Sequence, residues 1–173
     1  KGVLMIKKMT AVSLIGLAMA TSAQAGDLAL SVELPRIDVA EYHRPYVAMW
    51  LQNDDSGDVT NLAVWYQLDK RDDKGEQWLK DMRQWWRRSG RSASMPLDGV
   101  SGATQQPGVH SVDLAKVADS LAPGSYKLYV EAAREVGGRE LLKIPFQWPV
   151  KSSTTLETDG KTELGKILLS LAP

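Results

Sequence analysis

The sequence of 173 residues contains no cysteine and only two histidines. Without a thiol the chain can form no disulfide, no cysteine-ligated iron–sulfur cluster, no c-type haem attachment and no lipid-modified N-terminal cysteine. The histidines, His43 and His110, lie far apart and lack the HExxH spacing of a metalloprotease. The acidic stretches 54–58 and 69–76 lack the ligand pattern of an EF-hand loop, so we predict hairpin turns there and no metal site.

The chain also lacks an excess of either charge, because 21 Lys plus Arg balance 21 Asp plus Glu. Three of the lysines lie within the first eight residues, ahead of an apolar run that ends at Ala20 and a small-residue segment that ends at Ala25. A basic start, a short apolar stretch and an A-x-A-like end are the parts of a Sec signal peptide. We therefore predict a cleaved signal peptide over residues 1–25 and a periplasmic domain over residues 26–173.

The predicted mature domain has a net charge of −3, since cleavage of the signal peptide removes three lysines and no acidic residue. A protein that binds nucleic acid needs clustered positive charge to neutralise phosphates, so we predict no nucleic-acid partner. No apolar run after residue 25 approaches the ~20 residues that a membrane-spanning helix needs, so we predict a domain that is not membrane-embedded.

Alternating apolar stretches separated by turn residues predict short strands in an all-β domain. The seven predicted strands cover residues 28–34, 46–52, 59–68, 109–114, 125–134, 140–150 and 164–171. Strands at this spacing are typical of an immunoglobulin-like β-sandwich, in which we expect the first three strands to form a meander. In the second strand, alternation places Tyr46, Ala48 and Trp50 on one face and Val47, Met49 and Leu51 on the other.

One segment, residues 76–88, breaks the strand pattern and predicts a single short helix laid against the sandwich. Its apolar residues at helical spacing are Trp78, Leu79, Met82, Trp85 and Trp86. Core packing explains such tryptophans, but Trp86 is followed at once by Arg87 and Arg88, and an indole beside guanidinium groups can flank a planar anionic ligand. A solvated basic helix end that complements the helix dipole is the competing explanation.

A polar stretch after the predicted helix reads Leu-Asp-Gly-Val-Ser-Gly-Ala-Thr over residues 97–104. It resembles the D-x-x-[S/T]-G-A-[T/S] motif of extracytoplasmic flavoproteins, such as the flavinylated subunits of sodium-pumping quinone reductases and Rnf complexes. Asp98 matches the acidic position, Ser101 the hydroxyl position, Gly102 and Ala103 the small pair, and Thr104 the acceptor. In those proteins an ApbE-type flavin transferase moves FMN from FAD onto the last hydroxyl, so the resemblance implies covalent FMN on Thr104.

The residue types of this motif suit modification by another enzyme. A threonine hydroxyl attacks phosphorus only when a base and Mg²⁺ are supplied, which the transferase would provide. Gly102 and Ala103 have too little side chain to obstruct entry into an active site, and Asp98 can interact with the metal or hold the turn. We expect residues 98–105 to be accessible. The alternative is an ordinary turn, in which Asp98 and Ser101 cap backbone amides.

A wider resemblance covers nearly the whole mature chain. The segments that carry it are Arg44 to Trp50, Leu79 to Arg87, Asp98 to Thr104 with Pro107-Gly108, Pro123 to Tyr126, and Val130 to Glu135 with Gly137 to Glu140. They are similar to the predicted periplasmic family called domain of unknown function 2271, whose members often have a histidine where this chain has Val136. The family implies a secreted β-sandwich associated with flavin transferases and with PepSY-type membrane proteins that move electrons across the inner membrane.

Two functions of different classes follow from these observations. The first is a periplasmic electron carrier with covalent FMN on Thr104, in which Trp86 and Arg87 shield the isoalloxazine and tune its potential. The second is a cofactor-free immunoglobulin-like binding module that uses exposed aromatic side chains. The sequence offers no set of nucleophile, base and electrophile, so we expect an electron-transfer protein rather than a catalyst.

Overall fold

A computed structural model describes residues 26–173, and the predicted signal peptide, residues 1–25, lies outside the described residues. The strands in this part are β1 (Asp27–Leu34), β2 (Tyr46–Asn53), β3 (Val59–Tyr66), β4 (Ser101–Ala103), β5 (Gly108–Asp113), β6 (Gly124–Ala133), β7 (Arg139–Trp148), β8 (Thr154–Asp159) and β9 (Lys166–Ala172). The helices are α1 (Arg83–Arg88), α2 (Ala115–Ser120) and the 3₁₀ helices Arg71–Asp73, Glu76–Asp81 and Gly90–Ser92. Each of the seven predicted strands is present, with ends within two residues of the prediction.

The strands form two sheets, one of four strands in the order β5-β1-β9-β8 and one of five in the order β4-β3-β2-β6-β7. The predicted all-β sandwich is therefore confirmed. The expected meander of the first three strands is wrong, because β1 pairs with β5 and β9 in the other sheet. Residues 35–45 carry the chain between the sheets, and a connection of this length does not make a tight hairpin.

Strand β2 is buried on both of its faces, and its residues divide between them as the sequence predicts. Val47 and Met49 point into the core between the two sheets, and Ala48 and Trp50 point into a second core on the outer face of the five-stranded sheet. Every residue from Tyr46 to Leu51 is at most 7% exposed. A strand buried on both faces needs a covering layer on each side, and the helical segment supplies the outer one.

The helical segment, residues 76–88, consists of two consecutive helices and not of the single helix that the sequence predicts. The 3₁₀ helix Glu76–Asp81 ends before Met82, whose ψ of 73° is not helical, and α1 begins at Arg83. The buried side chains of Leu79, Met82 and Trp85 recur every three residues, which is the period of a 3₁₀ helix. The division lets all three of these side chains face the sheet.

Sequence reasoning missed two short strands, the helix α2 and the 3₁₀ helices Arg71–Asp73 and Gly90–Ser92. Strand β8 has a single half-buried apolar residue, Leu156, and α2 follows β5 directly. Strand β4 consists of Ser101, Gly102 and Ala103 and pairs in parallel with the end of β3. Its position therefore depends on backbone pairing and not on an apolar pattern.

Candidate functional site

The flavinylation-like segment forms a tight turn that leads into β4. The backbone N–H of Ser101 donates to the carbonyl of Leu97 at 2.9 Å, and the N–H of Leu97 donates back to the Ser101 hydroxyl, also at 2.9 Å. Gly99 at the tip has a φ of +67°, a left-handed conformation that glycine adopts without steric cost. The Ser101 hydroxyl thus closes the turn, and the exposed side chain of Asp98 remains free to meet another molecule.

The motif lies on the outer edge of the five-stranded sheet. Ala103 pairs with Tyr66, and the backbone N–H of Thr104 donates to the Tyr66 carbonyl at 3.1 Å. A Cβ on Gly102 would lie 3.3 Å from Cδ1 of Trp65, so the motif glycine lets the strand approach this indole. None of the residues from Asp98 to Gln105 is fully buried, and the segment can be reached from solvent.

Thr104 lies at the mouth of a groove of about 380 Å³. The other residues that line it are Arg44, Tyr66, Gln67, Leu68, Asp69, Lys70 and Ala103. Within residues 26–173 the Thr104 hydroxyl has no hydrogen-bond partner, although its backbone N–H is paired. The groove therefore places an available hydroxyl beside the cationic side chains of Arg44 and Lys70.

Arg44 connects this groove with two others at the same end of the sandwich. It also lines a cavity of about 200 Å³ beside Tyr46 and Trp78, and an opening of about 370 Å³ beside Tyr42. Its side chain is exposed, and in the described part of the chain it forms no ion pair. Arg44 is thus an exposed cation that lines all three openings and can contact a ligand in any of them.

Two tyrosines form an aromatic wall next to this end of the sheet. The rings of Tyr46 and Tyr66 meet edge to face, with centroids 6.2 Å apart. The Tyr46 hydroxyl donates to the carbonyl of Gly75 at 2.9 Å. Burial raises the pKa of both tyrosines, so the wall is uncharged at neutral pH.

A buried ion pair supports the cavity beside Tyr46. Arg134 donates two hydrogen bonds to Glu163, of 2.7 and 3.1 Å, and the two side chains are 6% and 3% exposed. The hydrogen bond to Glu163 raises the pKa of Arg134, which stays charged. Its remaining nitrogen, Nη1, is buried without a partner in the described residues, while the Tyr42 ring lies 5.9 Å from the guanidinium carbon.

The structure does not bring Trp86 and Arg87 to the groove of Thr104. They lie on α1 and line a separate groove of about 450 Å³, together with Arg139 at the start of β7. Strands β4 and β7 are the opposite edges of the five-stranded sheet, which four strand spacings place roughly 20 Å apart. The predicted contact of Trp86 and Arg87 with an isoalloxazine on Thr104 therefore stays a prediction. These two side chains share no groove with Thr104.

The helix α1 is anchored by a carboxylate that sequence reasoning missed. Glu131 on β6 is 0% exposed and accepts hydrogen bonds from the backbone N–H groups of Gln84 at 3.0 Å and Trp85 at 2.7 Å. Arg139 donates to the same carboxylate at 2.6 Å. The available signal was a single acidic residue inside the apolar run of β6, at a position where alternation points the side chain towards the helix.

Residues 26–173 contain no group of three or more His, Cys, Asp or Glu side chains placed to bind a metal ion. His43 lies 3.0 Å from a carboxylate oxygen of Glu41, and His110 lies 2.7 Å from the carbonyl of Gln106. In this same portion, none of the helices has the length and apolar character that a membrane span requires.

Comparison with known proteins gives one match. The sequence model of a family described as a predicted periplasmic protein, DUF2271, matches residues 27–166. No curated protein and no solved structure matches the chain. The description of the family confirms the periplasmic location that the sequence predicts. Because the match covers most of the 173 residues, the chain belongs to this family of predicted periplasmic proteins.

Proposed function

We propose that this protein is a periplasmic flavoprotein that carries FMN as a phosphoester on Thr104 and passes electrons to or from a PepSY-type membrane protein. An ApbE-type flavin transferase would attach the FMN. The observation that supports the proposal most is the available hydroxyl of Thr104, which stands at an exposed sheet edge and opens onto a cationic groove.

The residues around Thr104 fit a phosphodiester of FMN. The diester carries one negative charge, and the groove has a net charge of the opposite sign, because Arg44 and Lys70 outnumber Asp69 there. The groove, at about 380 Å³, lies within the range of ~300–1,000 Å³ typical of ligand sites. FMN, when bound, supplies the redox chemistry, while the chain binds and orients it.

The attachment reaction balances with FAD as the donor. The Thr104 oxygen forms a bond to the FMN phosphorus, the pyrophosphate bond of FAD breaks, and AMP leaves. The hydroxyl proton passes to a base of the transferase, because no carboxylate or imidazole of this chain accepts a hydrogen bond from Thr104 in the described residues. This chain contributes the oxygen, the exposure and the shape of the turn.

A specific observation favours the second candidate, a cofactor-free binding module. Trp78 is 43% exposed at the cavity that it shares with Arg44 and Tyr46, and exposed tryptophan beside arginine is typical of protein-binding surfaces. A partner would then occupy the cavity, and Thr104 would remain unmodified.

Intact-mass measurement of the mature protein, made with and without a co-expressed flavin transferase, separates the two functions. We expect the wild type to gain one FMN less one water, and Thr104→Ala to gain nothing. Ser101→Ala and the matched control Thr60→Ala, at an exposed position of β3, should still gain the flavin. Flavin mapped to Ser101 or to another peptide would contradict the proposed attachment, and a colourless protein under every co-expression would favour the binding module.

A further inference from the structure

The groove on the outer side of α1 is lined by four cations and one tryptophan. Its residues are Lys80, Arg83, Trp86, Arg87 and Arg139, and its volume is about 450 Å³. No residue of the motif segment 98–104 lines it. It is therefore a separate surface from the groove of Thr104.

The positive charge of this groove is largely unbalanced. No carboxylate lines it, and the one acidic group that reaches Arg139 is the buried Glu131. Within residues 26–173, Lys80 and Arg83 form no ion pair, and Arg87 donates only to the neutral Gln84. A domain with more acidic than basic side chains thus concentrates cations in one concave place. Such a concentration attracts anions.

The fold holds these cations in a fixed arrangement. Leu79 and Trp85 bury the inner side of the helical segment, so Lys80, Arg83 and Arg87 face outwards. Arg83 and Arg87 are four residues apart on α1, which places them side by side, and Lys80 lines the same groove from the preceding 3₁₀ helix. Glu131 fixes the start of α1, so little ordering of backbone is required when a ligand binds.

We propose that this groove binds a phosphate ester. The forked guanidinium groups of Arg83 and Arg87 match the oxygens of a phosphate, and Lys80 adds a point charge. The indole of Trp86 contacts the organic group that the phosphate carries. The ester is either a soluble molecule or the headgroup of an anionic phospholipid, because both present the same phosphate.

Calorimetric titration of the Thr104→Ala protein tests this proposal without any contribution from attached flavin. The three probes are AMP, inorganic phosphate and vesicles of phosphatidylglycerol, with vesicles of phosphatidylcholine as the neutral blank. We expect Arg83→Gln and Arg87→Gln each to weaken binding about tenfold or more, since each loses a charge-assisted hydrogen bond. Arg87→Lys should lie between, because it keeps the charge and loses the fork.

Lys116→Gln is the matched control, because it removes one positive charge from α2, which contacts β1 of the other sheet. It should leave binding unchanged. Binding of AMP assigns the groove to a soluble ester, and binding of phosphatidylglycerol vesicles alone assigns it to a lipid headgroup. Binding of inorganic phosphate alone contradicts the proposal, because inorganic phosphate carries no organic group. The proposal is overturned if none of the three probes binds, or if binding is the same in the parent Thr104→Ala protein and in both glutamine variants made from it. These outcomes do not depend on whether Thr104 carries flavin.

Discussion

The loss of the buried carboxylate of Glu131 should destabilise the protein strongly. In Glu131→Ala, the backbone N–H groups of Gln84 and Trp85 lose their acceptor, and each such buried donor costs about 1–3 kcal/mol. Arg139 is 34% exposed and can turn to water, so the lost ion pair adds only about 0–1 kcal/mol. We therefore expect the free energy of unfolding to fall by about 4 kcal/mol, which is about 2 kcal/mol for each unpaired backbone donor.

Urea unfolding followed by far-UV circular dichroism measures this change. Glu131→Gln should lose less, about 2 kcal/mol, because its amide oxygen still accepts from one of the backbone donors. The matched control is Glu157→Ala, since Glu157 is 58% exposed and its pair with Lys166 should be worth under about 0.5 kcal/mol. A loss below about 1 kcal/mol in Glu131→Ala, or an equal loss in the control, would refute the reasoning.

Two further predictions concern stability. Burial alone would raise the pKa of Glu140, but hydrogen bonds from four backbone N–H groups outweigh it and hold this pKa below its usual value. Glu140→Gln should therefore destabilise the protein at pH 7. The deficit should shrink as the pH falls below about 4.3 through the folded pKa, and a pH-independent deficit in urea unfolding would contradict this. Gly90→Ala should cost about 1–3 kcal/mol, because the new Cβ would overlap with Cζ3 of Trp85, and an unchanged melting temperature would contradict the contact.

Much of the fold can be predicted from the sequence, because the burial of a strand determines which of its positions are apolar. Strand β1 alternates between buried and exposed positions, and β2 is apolar throughout because both of its faces are covered. Strand β4 has no such apolar pattern, since its three small residues pair through their backbone alone. The strands that pair with β1 could not be predicted either, because alternation indicates which face of a strand is buried and not which strand lies beside it.

The candidate site was predictable in part. The motif resemblance predicts Thr104 as the acceptor, and the turn and the partial exposure of its residues are compatible with that prediction. Arg44 was not identified as a site residue, because it is 60 residues away in the sequence and reaches the groove only through the pairing of β2 with β3. The sequence also groups Trp86 and Arg87 with Thr104, whereas in the structure they line a groove that shares no residue with the groove of Thr104.

Strand β4 also protects the molecule from association with its own copies. It covers the backbone of β3 from Val64 to Tyr66, where the side chains are large and apolar. An uncovered edge of this kind is a template for pairing with another chain and for aggregation. Deleting residues 98–104 would expose it, whereas Thr104→Ala keeps the N–H bond to Tyr66. Removing the Thr104 hydroxyl therefore leaves this edge covered, whereas removing the loop does not.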